Sequence, residues 1–283
     1  MTSSTLPTPL VSAEQLLAAR AAGSDPLILD CSFDLADTAA GERAFAQGHL
    51  PGAAYAHLER DLSGPKTGRN GRHPLPELAQ WALTLARLGA TRGRPVVVYD
   101  AQGAMYAARA WWMLLWAGHA EVSVLDGGLQ AWTAAGGALE TGEVAPVAAA
   151  AWVAGESLVR TIDADALQRQ LGRVTVLDAR AGERFRGEVE PLDARAGHIP
   201  GARSRFFKDN LDAQGRFRRA DDLRAAFASF GAAPAQVVHQ CGSGVTACHN
   251  LLAMTLAGLP GSTLYPGSWS EWSADPARPV AVG

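Results

Sequence analysis

Nearly everything in the first half of this chain has a counterpart about 140–150 residues further on. Val11-Ser12-Ala13-Glu14-Gln15-Leu16 and Ile162-Asp163-Ala164-Asp165-Ala166-Leu167 each open a helix, with Ser12 or Asp163 as the N-cap that accepts an otherwise unpaired N–H. Leu27-Ile28-Leu29-Asp30 and Thr175-Val176-Leu177-Asp178 are short apolar runs ending on aspartate, the pattern of a buried strand. Gly48-His49-Leu50-Pro51-Gly52-Ala53 answers Gly197-His198-Ile199-Pro200-Gly201-Ala202. Amphipathic helices over about 76–89 and 220–230 both close on a glycine, Gly89 and Gly231. Val96-Val97-Val98-Tyr99 matches Val237-Val238-His239, and each is followed by a largely apolar helix ending near Gly118 or Gly258. Gly127-Gly128-Leu129-Gln130-Ala131-Trp132 and Gly267-Ser268-Trp269-Ser270-Glu271-Trp272 close the two series. Such a repeat means two copies of one domain. Strands alternating with helices predict an α/β fold, each copy a parallel sheet with helices on both faces. The expected domains are 1–136 and 156–283. The Ala/Gly/Val/Pro-rich stretch 137–155, which has neither helical nor strand period, joins them.

Composition matters here mainly for what it excludes. At 48% hydrophobic and 19% charged the chain can build two ordinary cores. A net charge of −3 with no basic block gives no footing for nucleic acid or for an acidic membrane. The N-terminus lacks a basic region followed by an apolar core, and no window of ~18 uninterrupted apolar residues occurs, so neither a secretory signal nor a membrane span is expected. Cys31, Cys241 and Cys248 cannot all pair and are too sparse for a disulfide framework, which predicts a reducing, cytoplasmic setting. Without clustered His/Cys ligand spacings, no metal and no cofactor are expected.

What separates the copies is chemistry. Val237–Ala247 reads as a buried strand, a tight turn opening on Cys241, and a helix running to about Ala257. In a parallel sheet, sites form at the carboxyl ends of strands, where Cys241 falls. Gly242 and Gly244 let the backbone curl so that N–H groups face the sulfur, and Val245 and Thr246 begin a helix whose partial positive charge adds to them. Such a cradle predicts a lowered thiol pKa and a nucleophilic Cys241. Aligning Gly118 with Gly258 and Gly127 with Gly267 gives an offset of 140, which sets Ala101 opposite Cys241 with Asp100 beside it. The first copy (Asp100-Ala101-Gln102-Gly103-Ala104) therefore has no nucleophile, and is expected to be an inactive copy that lends residues to a shared cleft.

These pieces together resemble the tandem-domain sulfurtransferases of the rhodanese family. The resemblance is carried by Cys241-Gly242-Ser243-Gly244-Val245-Thr246-Ala247, the twin Gly-His-(Leu/Ile)-Pro-Gly-Ala motifs and Tyr265-Pro266-Gly267-Ser268-Trp269-Ser270-Glu271-Trp272. It implies two rhodanese-like domains, the second active, and a persulfide formed on Cys241 and passed to cyanide or a thiol acceptor, such as a small thiol or a thioredoxin-like protein. Members with a Cys-Gly-Ser-Gly-Val-Thr-Ala loop resemble 3-mercaptopyruvate users, whereas thiosulfate users carry Arg and Lys in the loop. The resemblance also implies a Ser243–His73–Asp61 relay. Arg184, in Arg184-Phe185-Arg186-Gly187, would clamp a carboxylate, with Gly242, Gly244, Val245 and Thr246 shaping the loop. The family's second clamp arginine falls on or near Asp193, with Arg195 close enough to substitute. A thiosulfate:cyanide sulfurtransferase is the alternative donor assignment, and a non-enzymatic sulfur carrier or docking module the alternative class.

Other residues read as structural. His49 and His198 recur in both copies and are expected to bond backbone, and Asp30 and Asp178 are expected to hold turns. Trp111, Trp112 and Trp116 fit a core or domain-interface helix. Cys248 lies seven residues past Cys241, about 10 Å along a helix, and reads as packing. A cysteine phosphatase needs an arginine six residues after its cysteine, where this chain has Ala247.

Overall fold

The computed structural model describes residues 6–142, 144 and 151–283. Among the described residues ten strands form two five-stranded sheets, parallel throughout. The first holds β1 (Leu10–Val11), β2 (Leu27–Asp30), β3 (Ala53–Tyr55), β4 (Val96–Tyr99) and β5 (Val122–Leu125), in the order β1-β5-β4-β2-β3. The second holds β6 (Arg160–Thr161), β7 (Thr175–Asp178), β8 (Arg203–Ser204), β9 (Val237–Gln240) and β10 (Thr263–Leu264), in the equivalent order β6-β10-β9-β7-β8. Among the described residues ten α-helices connect them: α1 (Ala13–Ala21), α2 (Ala40–Gln47), α3 (Leu78–Arg87), α4 (Ala107–Trp116) and α5 (Gly128–Ala134), then α6 (Ala164–Gln170), α7 (Gly182–Arg186), α8 (Ala220–Ala228), α9 (Thr246–Leu256) and α10 (Ser268–Trp272). The repeat is thus an α/β fold made twice. Its caps follow the sequence: Ser12 Oγ accepts the Gln15 N–H and Asp163 Oδ1 the Ala166 N–H.

The central strands β2, β4 and β9 are buried at every residue, and β7 at all but Thr175, because each is covered on both faces. One core gathers Leu16, Ile28, Val97, Tyr99 and Trp132; the other gathers Leu167, Val176, Val238, Tyr265, Trp269 and Trp272. Helix α4 is buried almost all round, Trp111 and Trp112 included.

The chain divides into two compact units, though not by a single cut. The first comprises 1–62, 76–158 and 213–216; the second comprises 63–75, 159–212 and 217–283. Ser63–Leu75, from the first half of the sequence, thus belongs to the second unit. The described parts of 137–155 are fastened within the first unit: Glu140 bridges His49, the Gly142 N–H bonds Ala46 O, and the Gly155 N–H bonds Ala117 O.

Strand register corrects the sequence alignment at the key position. Asp30 pairs with Tyr99 and Asp178 with Gln240, so the residue following the central strand is Asp100 in one copy and Cys241 in the other. Asp100 is followed by six residues before α4, Cys241 by four before α9, and α4 has 10 residues against 11 in α9. These length differences carried the offset of 140 one residue too far, to Ala101.

Candidate active site

Cys241 sits where β9 ends, 2% exposed. Its sulfur accepts the Gly244 N–H at 3.1 Å, and its own N–H donates to Ser268 Oγ at 3.1 Å. The peptide beyond it is held by α10: Cys241 O accepts the Trp269 N–H (3.0 Å) and Gly242 O the Ser270 N–H (2.8 Å). Gly244 has φ +78°, and a Cβ there would lie 2.3 Å from Pro266 O, so only glycine can make this turn. Val245 precedes α9 and Thr246 is its first residue. Ser268 was missed as a site residue. It adopts φ +54° although it is not glycine, and its Oγ donates to Tyr265 O (2.9 Å) while accepting from Cys241. The mismatch of Ser268 with Gly128 in the repeat was the available signal.

Ser243 lies 6% exposed, its Oγ 2.7 Å from His73 Nδ1. The segment carrying His73 is fixed to the same unit by the Arg72 N–H, which donates to Ser270 Oγ at 3.0 Å. Asp61 belongs to the first unit, where its Oδ2 accepts the His57 N–H at 2.8 Å and its Oδ1 pairs with Arg87.

Two guanidinium groups stand at Gly242. A Cβ on that residue would lie 2.9 Å from Arg72 Nη2 and 3.5 Å from Arg184 Nη1. Asp193 joins the two, one oxygen meeting Arg72 Nη1 and the other Arg184 Nη2 at 3.1 Å. Arg184 Nη2 also donates to Glu190 (2.6 Å), which receives Arg180 Nη1 at 3.3 Å, and Arg180 in turn pairs with Asp178 at 2.7 Å. Burial pushes the Asp193 carboxyl up, against the pull of Arg72. Arg195 does not substitute for a clamp arginine. Its guanidinium donates to the carbonyls of Trp272, Ser273, Asp275 and Arg278, which fixes the C-terminal segment instead. Arg72 went unrecognised because it lies 170 residues before Gly242, in a loop with no periodic pattern.

The recurrent residues are structural. His49 Nδ1 meets Phe45 O (2.7 Å) and its ring stacks on Phe45; His198 does the same with Phe185 at 2.8 Å. Asp30 accepts the Ser32 N–H and Asp178 the Arg180 N–H, each holding a turn. The Cys248 thiol donates to Gly244 O at 3.3 Å, beneath the loop. All three cysteines are free thiols, and burial pushes that of Cys31 well up.

A buried cysteine lies at the carboxyl end of a parallel strand, under a glycine turn and beside a Ser–His contact, where α/β scaffolds place their sites. The rhodanese-like domain model matches residues 12–135 and 163–275, and the chain belongs to that family. It is 50% identical over 280 residues to a Pseudomonas aeruginosa protein named as a probable 3-mercaptopyruvate sulfurtransferase, covering 97% of this chain and 98% of that one. It is 44% identical over 277 residues to SseB of Mycobacterium tuberculosis, named as a candidate thiosulfate sulfurtransferase, with 97% of each chain covered. Among solved structures it resembles SseA of Escherichia coli, described as a 3-mercaptopyruvate sulfotransferase. The TM-score is 0.80 and the identity 30%, over 94% of this chain and all of that one.

Proposed function

We propose that the chain is a sulfurtransferase that moves sulfur from 3-mercaptopyruvate to a thiol or cyanide through a persulfide on Cys241. The relatives' names and the family's persulfide chemistry support the class of reaction. The Cys241 thiolate attacks the donor sulfur, the S–S bond forms and the C–S bond breaks. The bonding pair stays on carbon as the enolate of pyruvate, which takes the proton that the donor thiol gave up. The persulfide then yields its outer sulfur to a thiolate or to cyanide, regenerating the Cys241 thiolate and releasing a new persulfide or thiocyanate.

The observation that carries the donor is the 2.7 Å contact between Ser243 Oγ and His73 Nδ1. With 3-mercaptopyruvate a proton must travel from sulfur to carbon, which is work for a hydroxyl–imidazole relay. Thiosulfate releases sulfite with no proton transfer, so a relay beside the cysteine would have no task. Arg184 is assigned to the donor carboxylate, since a planar guanidinium can bind it by two parallel hydrogen bonds. Among the described residues no helix is long and apolar enough to cross a membrane. Three free thiols suit a reducing cytoplasm, and a small thiol or thioredoxin-like protein suits the acceptor role.

Kinetics with both donors test this reading, together with mass spectrometry of the donor-treated protein. The Cys241 peptide should gain about 32 Da, one sulfur atom. Cys241→Ser should lose transfer while keeping its fold, and kcat/KM should be higher for 3-mercaptopyruvate. Label on Cys31 or Cys248 would move the nucleophile, and a tenfold preference for thiosulfate would reverse the donor.

A further inference from the structure

The arginines at Gly242 are not a bare cationic pocket. Arg72, Arg180 and Arg184 interlock with Asp178, Glu190 and Asp193, three charges of each sign. The Glu190 and Asp193 side chains are 3% and 2% exposed, so solvent does little to screen them. Asp193 uses both oxygens as a strap, one on each guanidinium. The nitrogens nearest Gly242 are others, Arg72 Nη2 and Arg184 Nη1, and the buried Arg184 Nε has no acceptor among the described residues. The pair therefore offers donor hydrogens toward the Cys241 loop while its net charge is already cancelled from behind.

We propose that Arg72 is the second guanidinium of the sulfur-donor site and that Asp193, strapped across Arg72 and Arg184, is its specificity-determining residue, holding the site close to neutral so that a singly charged carboxylate donor is preferred over a doubly charged one. This rests on the sulfurtransferase reading above. A carboxylate needs directed N–H groups, which the strapped pair keeps in place. A dianion such as thiosulfate depends more on net charge, which Asp193 removes.

The test is Asp193→Asn, which keeps the shape and one acceptor oxygen but frees a unit of positive charge. Because Coulomb energy scales with ligand charge, the change for a dianion should be about the square of that for a monoanion. About a fivefold fall in KM for 3-mercaptopyruvate would go with about a twenty-five-fold fall for thiosulfate. Asp193→Glu, which keeps the charge, should keep the wild-type donor ratio. If Asp193 only positions the arginines, Asp193→Asn will weaken both donors by the same factor; that outcome, or a ratio shifted away from thiosulfate, overturns the proposal. Should Asp193→Asn fail to fold, Arg72→Gln carries the test in the opposite sense, since thiosulfate must then lose more than 3-mercaptopyruvate. The two readings fail separately. A wild-type protein that forms no persulfide on Cys241 with either donor refutes the sulfurtransferase assignment. A persulfide with an unmoved donor ratio refutes only the role of Asp193.

Discussion

The loop after β4 and the loop after β9 are the same turn holding different side chains. In the first copy Asp100 Oδ1 accepts the N–H groups of Gln102 (2.8 Å) and Ala104 (2.9 Å), and Oδ2 those of Tyr106 (2.8 Å) and Ala107 (2.9 Å). In the second copy the residue in register is Cys241, whose sulfur accepts the Gly244 N–H. Asp100 O accepts the Leu129 N–H as Cys241 O accepts that of Trp269. One copy gathers four N–H groups on a carboxyl, and the other sets one N–H on a sulfur. The first copy thus shows this turn holding a carboxyl at a strand end by backbone N–H groups, although burial raises the pKa of that carboxyl. A carboxylate there is structural, because it satisfies its donors permanently. A sulfur there takes a single N–H, that of Gly244.

The strongest way to break this comparison is to empty each cradle and weigh the cost. Asp100→Ala strands four N–H donors, three of them buried, and should cost about 3–5 kcal/mol of stability. Cys241→Ala gives up one sulfur contact and should cost about 1 kcal/mol. Denaturant titration of both variants measures the contrast, and equal losses would end the idea that the first loop has become structural.

A second difference between the copies sharpens the comparison through pH. His239 on β9 pairs with Leu177, and its counterpart on β4, paired with Leu29, is Val98. Burial lowers the His239 pKa from 6.5 to about 3. The unfolded chain therefore takes the proton first as pH falls. Stability from the neutral ring is complete above pH 6.5 and is lost progressively down to about pH 3. At pH 5 the loss should be about 2 kcal/mol, from 1.36 kcal/mol per pH unit. His239→Val, copying the first copy, should remove that slope. Denaturation at pH 7 and pH 5 reads it directly, and parallel pH profiles for the two proteins would contradict it.

The smallest expected effect lies at the matched positive-φ residues, Gly128 and Ser268, both at +54°. Ser268→Ala keeps the strained backbone and leaves the Cys241 N–H unpaired, for about 1 kcal/mol of stability and a lower kcat. Ser268→Gly relieves the strain, so it should regain most of the stability while kcat stays low. Recovery of kcat in the glycine variant would show that the hydroxyl does not position the cysteine.

The repeat, the strands ending at Asp30 and Asp178, the turn opening on Cys241 and the paired structural histidines were all legible in the chain, because each is set by local period, capping or turn chemistry. The register error at Ala101 shows where spacing fails: a loop two residues shorter and a helix one residue longer in the second copy change the offset by one between the central residue and the glycines downstream. Hydrogen bonds across the sheet, not spacing along the chain, put Asp100 opposite Cys241.

Sequence alone determined that this protein is one α/β domain made twice, with a cysteine at the end of the central strand in the second copy only. Only the tertiary structure decided what surrounds that thiol. His73 reaches Ser243 across 170 residues, Arg72 reaches Asp193 across 121 and Ser270 across 198, and Arg195 is diverted to four carbonyls that no motif announced. The physical reason is that periodicity reports which face of an element is buried, whereas a charge's partner depends on how distant segments pack, and a loop such as 63–75 carries no period to reveal its place.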